Sequence, residues 1–169
     1  MSLPTQIDPR KLALQGITLE GEFFAKHLPR LSASVEAVNS SLSATLEFTR
    51  DQSRQPLVKG EAKISVDVIC QRCLDPMSIE IKAAIALQVI WSEDRIANVS
   101  PDYEPWIVVD KIADLAVVLE DELLLALPIV NYHNPGECTG NAVVSKATTN
   151  DDEEAVADSP FSVLKQLKH

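Results

Sequence analysis

Two long runs of alternating apolar and polar residues, joined end to end by a short segment with a Cys-x-x-Cys pair, constrain this chain more than anything else in it. The first run places Ala62, Ile64, Val66, Val68 and Cys70 on one face and Lys63, Ser65 and Asp67 on the other. The second runs from Met77 to Trp91 and aligns Ile79, Ile81, Ala83, Ile85, Leu87 and Val89. A period of two is the mark of a half-buried strand. The connection, Cys70-Gln71-Arg72-Cys73-Leu74-Asp75-Pro76, is so short that antiparallel pairing follows. Ahead of this pair, Ala44, Leu46 and Phe48 alternate with Thr45, Glu47 and Thr49, and the polar residues 51–56 read as a turn.

Helical signals flank these strands. Asp8 followed by Pro9 fits an N-cap with proline at the first helical position, and Gly16 fits the stop, so residues 8–16 read as a short helix. A second helical stretch is expected over residues 23–30, ended by Pro29. Residues 92–105 read as an acidic loop and Trp106-Ile107-Val108-Val109 as one more short strand. Residues 113–127 hold no Gly or Pro, are rich in Leu, Ala and Glu, and stop at Pro128. Leu115, Val118, Leu119, Glu122 and Ala126 form a stripe that Leu123, Leu124 and Leu125 widen, which predicts a helix buried on several sides. Its acidic cluster, Glu120-Asp121-Glu122, reads as a solvated edge. The expectation is an α+β fold: a mainly antiparallel sheet, with barrel-like closure left open, one long packed helix and a short N-terminal helix. Residues 1–138 form the single domain, 139–158 an acidic tether, and 159–169 a short segment with Phe161, Leu164 and Leu167 at helical spacing.

Composition narrows the class. The 169 residues are 46% apolar and 24% charged, ordinary values for one globular domain. No apolar run approaches a membrane span. The first residues show no basic-then-apolar leader, so the expected location is the cytoplasm, where three cysteines predict no disulfide framework. The formal charge is −10, and it is uneven: residues 1–90 carry ten basic and ten acidic side chains, residues 91–169 five and fifteen. An acidic half repels a phosphate backbone and attracts basic proteins. Direct RNA contact therefore has to use the first half or a local patch.

Four soft or borderline ligands occur in two clusters, Cys70 with Cys73 and His133 with Cys138. A thiol pair two residues apart on a tight turn is half of a common tetrahedral zinc site, and the second pair supplies the other half. Structural zinc on Cys70, Cys73, His133 and Cys138 is the expectation. Competing with it are a plain buried thiol at Cys70, a redox pair, and a cysteine nucleophile. A redox pair usually sits at a helix N-terminus, whereas here a strand leads in and Pro76 follows. A nucleophile needs a base, and nothing places His27 or His133 beside a thiol. No phosphate-binding glycine loop, Ser-His-Asp pattern or dinucleotide fingerprint occurs. Metal-binding carboxylates at nuclease-like spacing are also missing. The chain reads as a non-enzyme with no catalytic residue. Arg72, between the cysteines, is a candidate RNA or partner contact set against a plain solvated turn arginine.

The segment Val68-Ile69-Cys70-Gln71-Arg72-Cys73-Leu74-Asp75-Pro76-Met77 resembles the signature of the YceD family. Three further stretches match the same pattern in order: Asp8-Pro9 with Gly16, then residues 119–128 with Glu120-Asp121-Glu122 and Ala126-Leu127-Pro128, then Pro160-Phe161 with Leu164. His133 and Cys138 match a His and a Cys that follow the helix in proteobacterial members. The resemblance implies a cytoplasmic bacterial factor supporting synthesis, processing or stability of 23S ribosomal RNA during large-subunit biogenesis. Its partners would be large-subunit assembly intermediates, with 23S RNA met directly or through a basic ribosomal protein, and no membrane. The alternative is an acidic chaperone or adaptor that binds a basic ribosomal protein or assembly factor and affects the RNA only indirectly.

Overall fold

The structure is a computed structural model of the chain and describes residues 1–134 and 136–139. From residue 140 onward the expected acidic tether and C-terminal segment lie outside the described residues.

The two alternating runs form the spine. β5 (Pro56–Ile69) and β6 (Pro76–Ile90) pair antiparallel from Leu57↔Gln88 to Ile69↔Pro76. β5 starts earlier than the alternation at Ala62 announces, because Leu57 and Val58 are already buried, Val58 in the core. β4 (Leu42–Arg50) pairs antiparallel with the first half of β5, and the two-residue β3 (Ala37–Val38) pairs with its second half. β2 (Thr18–Phe23) adds an outer antiparallel strand against β4. β7 (Glu104–Ile107) lies on the far edge, parallel to β6 and two residues earlier than expected. β2 and β7 are not paired with each other, so the sheet is open and the barrel alternative falls away. A separate two-stranded ribbon joins β1 (Gln6–Ile7) to β8 (Ala113–Asp114). At Gly60 the backbone of β4 comes so close that a Cβ would lie 1.9 Å from the Thr45 carbonyl oxygen.

One face of the sheet is dry. Leu42, Ala44, Leu46 and Phe48 of β4, the even-numbered apolar residues of β5, and Ile81 to Val89 of β6 share one core. The other face carries Thr45, Glu47, Lys59, Glu61, Glu80 and Lys82 in water, the usual division of an antiparallel sheet covered on one side. Three helices cover the dry face. α1 (Pro9–Gln15) forms as expected, with the Asp8 side chain accepting from the Lys11 N–H and Gly16 left-handed at φ 63°. α3 (Leu115–Ala126) is capped by Asp114, which accepts from the Ala116 and Val117 N–H groups. The expected helix loses Ala113 and Asp114 to β8 and its cap. Leu115, Leu119 and Leu123 are fully covered, a burial of roughly 2 kcal/mol each. Val117 and Leu125 stay exposed at 49% and 74%, so α3 buries one broad side rather than several. Among the described residues, no helix is long and apolar enough to cross a membrane.

Two expectations are corrected. Residues 23–30 are not one helix ended by Pro29. Phe23 closes β2, Ala25–His27 form a single 3₁₀ turn, and Pro29 opens α2 (Pro29–Ser34). Proline suits that first position because its missing N–H would have had no partner there. Glu120 is not a solvated edge: it is 2% exposed. Its carboxylate accepts from the N–H groups of Arg30 and Leu31 at 2.7 and 3.0 Å and from Arg30 Nε at 2.8 Å. These are first-turn donors of α2, whose own N-cap, Leu28, has no side-chain oxygen. Glu120 thus caps α2 from α3, while Asp121 takes a second nitrogen of Arg30.

Glu120→Ala is expected to lower stability by about 2–4 kcal/mol, since it leaves the Arg30 and Leu31 N–H groups of the first turn of α2 without their acceptor, while the half-exposed guanidinium keeps Asp121. The urea unfolding midpoint reads this directly. A change within about 0.5 kcal/mol, the range of an ordinary surface substitution, would contradict the clamp.

Candidate metal centre

The tip of the β5–β6 ribbon is a tight, self-bonded turn. Cys70 N–H donates to Asp75 O at 3.0 Å, and Leu74 N–H donates to Cys70 O at 2.9 Å. Leu74 takes a left-handed φ of 65° and projects into water at 73% exposure. That conformation costs a non-glycine residue about 1–2 kcal/mol and persists only where the surroundings fix it. The turn puts Cys70 inside, fully covered, and Cys73 half-buried beside it.

After α3 the chain returns to this tip. Gln71 N–H donates to Asn131 O at 2.9 Å and Gln71 Nε2 to Ile129 O at 3.1 Å. A turn closed by Glu137 N–H to Asn134 O, with Gly136 at φ 99°, swings Cys138 back inward; Pro135 lies outside the described residues. Thr139 Oγ1 then donates to Asp75 Oδ2 at 3.0 Å. Residues 129–134 and 136–139 therefore form a strap tied to the hairpin tip by main-chain and side-chain bonds.

The strap completes a cluster. One donor atom from each of Cys70, Cys73, His133 and Cys138 lies within 4.8 Å of all the others. Cys70 Sγ and Cys138 Sγ are 3.9 Å apart, and Cys73 Sγ is 3.3 Å from His133 Nδ1. A tetrahedral ion bonded at about 2.3 Å to sulfur and 2.0–2.1 Å to nitrogen holds its donors roughly 3.5–3.8 Å apart. All three cysteines are free thiols. These four residues could hold a metal ion.

Electrostatics favours anionic sulfur here. Burial pushes the Cys70 thiol up, but the N–H groups of Cys73, His133 and Arg72 aimed at its sulfur outweigh that and bring its pKa to about 5. Cys73 moves the other way. The Asp75 N–H lowers it, and burial with the neighbouring Cys70 and Cys138 thiols raises it further than that. One thiolate with a protonated neighbour is the arrangement expected of crowded sulfurs that share a single negative charge. These donors are main-chain groups, Cys73 and Arg72 on the turn and His133 on the strap, so their contribution is invisible to a reading by side-chain type.

The remaining sequence candidates are placed as follows. Arg72 is exposed on the turn with its guanidinium 5.0 Å from the Tyr132 ring of the strap. His27 is not in the thiol cluster; its ring lies 5.5 Å from that of Phe23. The thiols sit between a strand end and a loop, not at a helix N-terminus, which weakens the redox alternative.

Comparison with known proteins takes in both the hairpin tip and the strap. The family model described as large ribosomal RNA subunit accumulation protein YceD matches residues 58–168. A protein of Haemophilus influenzae (strain ATCC 51907 / DSM 11121 / KW20 / Rd) with that same description is 32% identical over 170 residues. The match takes in 99% of this chain and 97% of that one. No solved structure matches. With the family's match running from β5 through the thiol turn, α3 and the strap, the chain belongs to the YceD family of large ribosomal RNA subunit accumulation proteins.

Proposed function

We propose that this chain is a non-catalytic cytoplasmic factor that supports synthesis, processing or stability of 23S ribosomal RNA while the large subunit is assembled. The observation that carries the reading is the near end-to-end similarity to a relative described as a large ribosomal RNA subunit accumulation protein. The thiol cluster has the closed, four-donor form of a structural site. We assign zinc to it, with Cys70, Cys73, His133 and Cys138 as the complete ligand set. In that role the ion pins the strap to the hairpin tip and takes no part in chemistry. Arg72 beside it is one cation on the hairpin turn, a small footprint for RNA by itself.

A second reading is supported by the opposite charge. Asp102, Glu104 and Glu122 line one concavity between β7 and α3. Burial, then the nearby Glu104 and Asp121 charges, hold the Glu122 carboxyl above its usual range. Such a surface favours a cationic companion, as an adaptor for a basic ribosomal protein requires.

Two measurements test these assignments. Purified full-length protein should carry about one zinc per chain by elemental analysis, and Cys70→Ser should lose it. Metal-free protein of unchanged stability would remove the zinc. In the source cell, loss of the chain should lower 23S relative to 16S RNA, and wild-type protein should restore it. An unchanged ratio would overturn the reading, and crosslinked adducts limited to basic proteins would favour the adaptor.

A further inference from the structure

At the end of the ribbon away from the thiols, four cations from three separate stretches of chain converge. Arg50 ends β4 opposite Pro56, where β5 begins. Arg10 and Lys11 belong to α1, which packs on β4 and β5. Lys111 precedes β8. Together with Asp8 and Leu14 they line an open concavity of about 580 Å³. In a chain with 25 carboxylates, only one lines this concavity, and its Oδ1 is occupied by the Lys11 backbone N–H at 3.0 Å. Asp51, next along the chain from Arg50, is turned back on its own loop, accepting from Gln55 N–H at 2.7 Å. None of the four cations is in an ion pair among the described residues. Lys11, Arg50 and Lys111 are exposed.

Arg10 is held in place. Its Nη2 donates to Val108 O at 2.8 Å, its guanidinium lies 5.1 Å from the Trp91 ring, and its Nε is buried without a partner. Arg95 lies 3.9 Å from the same ring, extending the positive charge beyond the concavity. Grouping unpaired like charges is unfavourable unless an anion joins them. A wide, open hollow lined mainly by charged residues is unlike the enclosed apolar pockets that take small molecules. It suits a chain of phosphates, which cationic side chains grip by position and charge rather than by base identity.

We propose that this basic end, formed by Arg10, Lys11, Arg50 and Lys111, is a contact site for the phosphate backbone of RNA. The proposal rests on the ribosomal reading above and gives it a surface. It also moves the RNA contact from Arg72 at the thiol tip to the opposite end of the ribbon. Because four cations and a single carboxylate line the concavity, the net charge of −10 does not forbid local binding.

The test measures binding of full-length, metal-loaded protein to a fluorescent stem-loop transcript of the large-subunit RNA, across a salt series. Each phosphate contact contributes about 0.7 to 0.9 to the slope of log affinity against log salt. The Lys11→Ala, Arg50→Ala, Lys111→Ala triple variant changes only exposed side chains and should reduce that slope by roughly 2 to 3. Arg72→Ala should leave most of it. A triple variant that binds with the wild-type slope, or a wild-type protein that does not bind the transcript, overturns the proposal. So does binding that emerges only when Asp151, Asp152, Glu153 and Glu154 are neutralised, which would assign the basic end to the chain's own acidic stretch. Expressed in cells lacking the chain, the triple variant should fail to restore 23S RNA where wild type restores it. If both restore it equally, this site falls and the ribosomal reading stands; if neither does, the ribosomal reading itself falls.

Discussion

Antiparallel pairing of β5 with β6 over thirteen consecutive residue pairs is the constraint on which the rest of the molecule depends. At about 3.4 Å per residue this ladder spans roughly 40 Å, and it fixes what lies at each end. At one end the turn between the strands aims Cys70 and Cys73 toward the strap. At the other, the start of β5 and the end of β6 gather Arg50, Trp91 and the residues of α1. A slip of one residue would turn every core side chain of β6 toward water, so register is set by the dry face itself. The two ends are thus chemically distinct but mechanically one object.

The thiol centre acts on top of that ladder, not in place of it. Cys70 and Cys138 are 68 residues apart in sequence, yet the sheet and α3 have already brought them close. An ion bound there would have little long-range loop entropy left to remove and would mainly fix the strap and the left-handed turn at Leu74. Charge is divided with the same geometry. Carboxylates collect on the flank of β7 and α3, while unpaired cations collect at the far end. The whole-chain value of −10 hides this separation, which is why arithmetic on halves of the sequence points to basic partners alone.

Much of the architecture was legible in residue order. Strict alternation announced β4, β5 and β6, Asp8-Pro9 and Gly16 announced α1, and the spacing of Cys70 and Cys73 announced the tip. What escaped was whatever depends on residues far apart in the chain. β2 has two charged residues and a glycine in six positions, so its pairing with β4 supplies most of its identity. Pro29 reads as a stop until Glu120, 91 residues further along, is seen capping the helix that it starts. Glu120 itself lies in an acidic triplet where local pattern cannot separate a buried acceptor from its solvated neighbours. The basic end is assembled from α1, β4 and the approach to β8, and no single segment is conspicuously basic.

Amide hydrogen exchange on the full chain, before and after a chelator removes metal, tests this division most directly. The account predicts that β5 and β6 exchange slowest in both states, and that metal loss speeds exchange only at residues 70–76 and 127–139. Protection lost across the whole sheet would mean that the ion, not the strand ladder, holds the fold together. Identical exchange with and without chelator would mean that the four donors hold no metal at all.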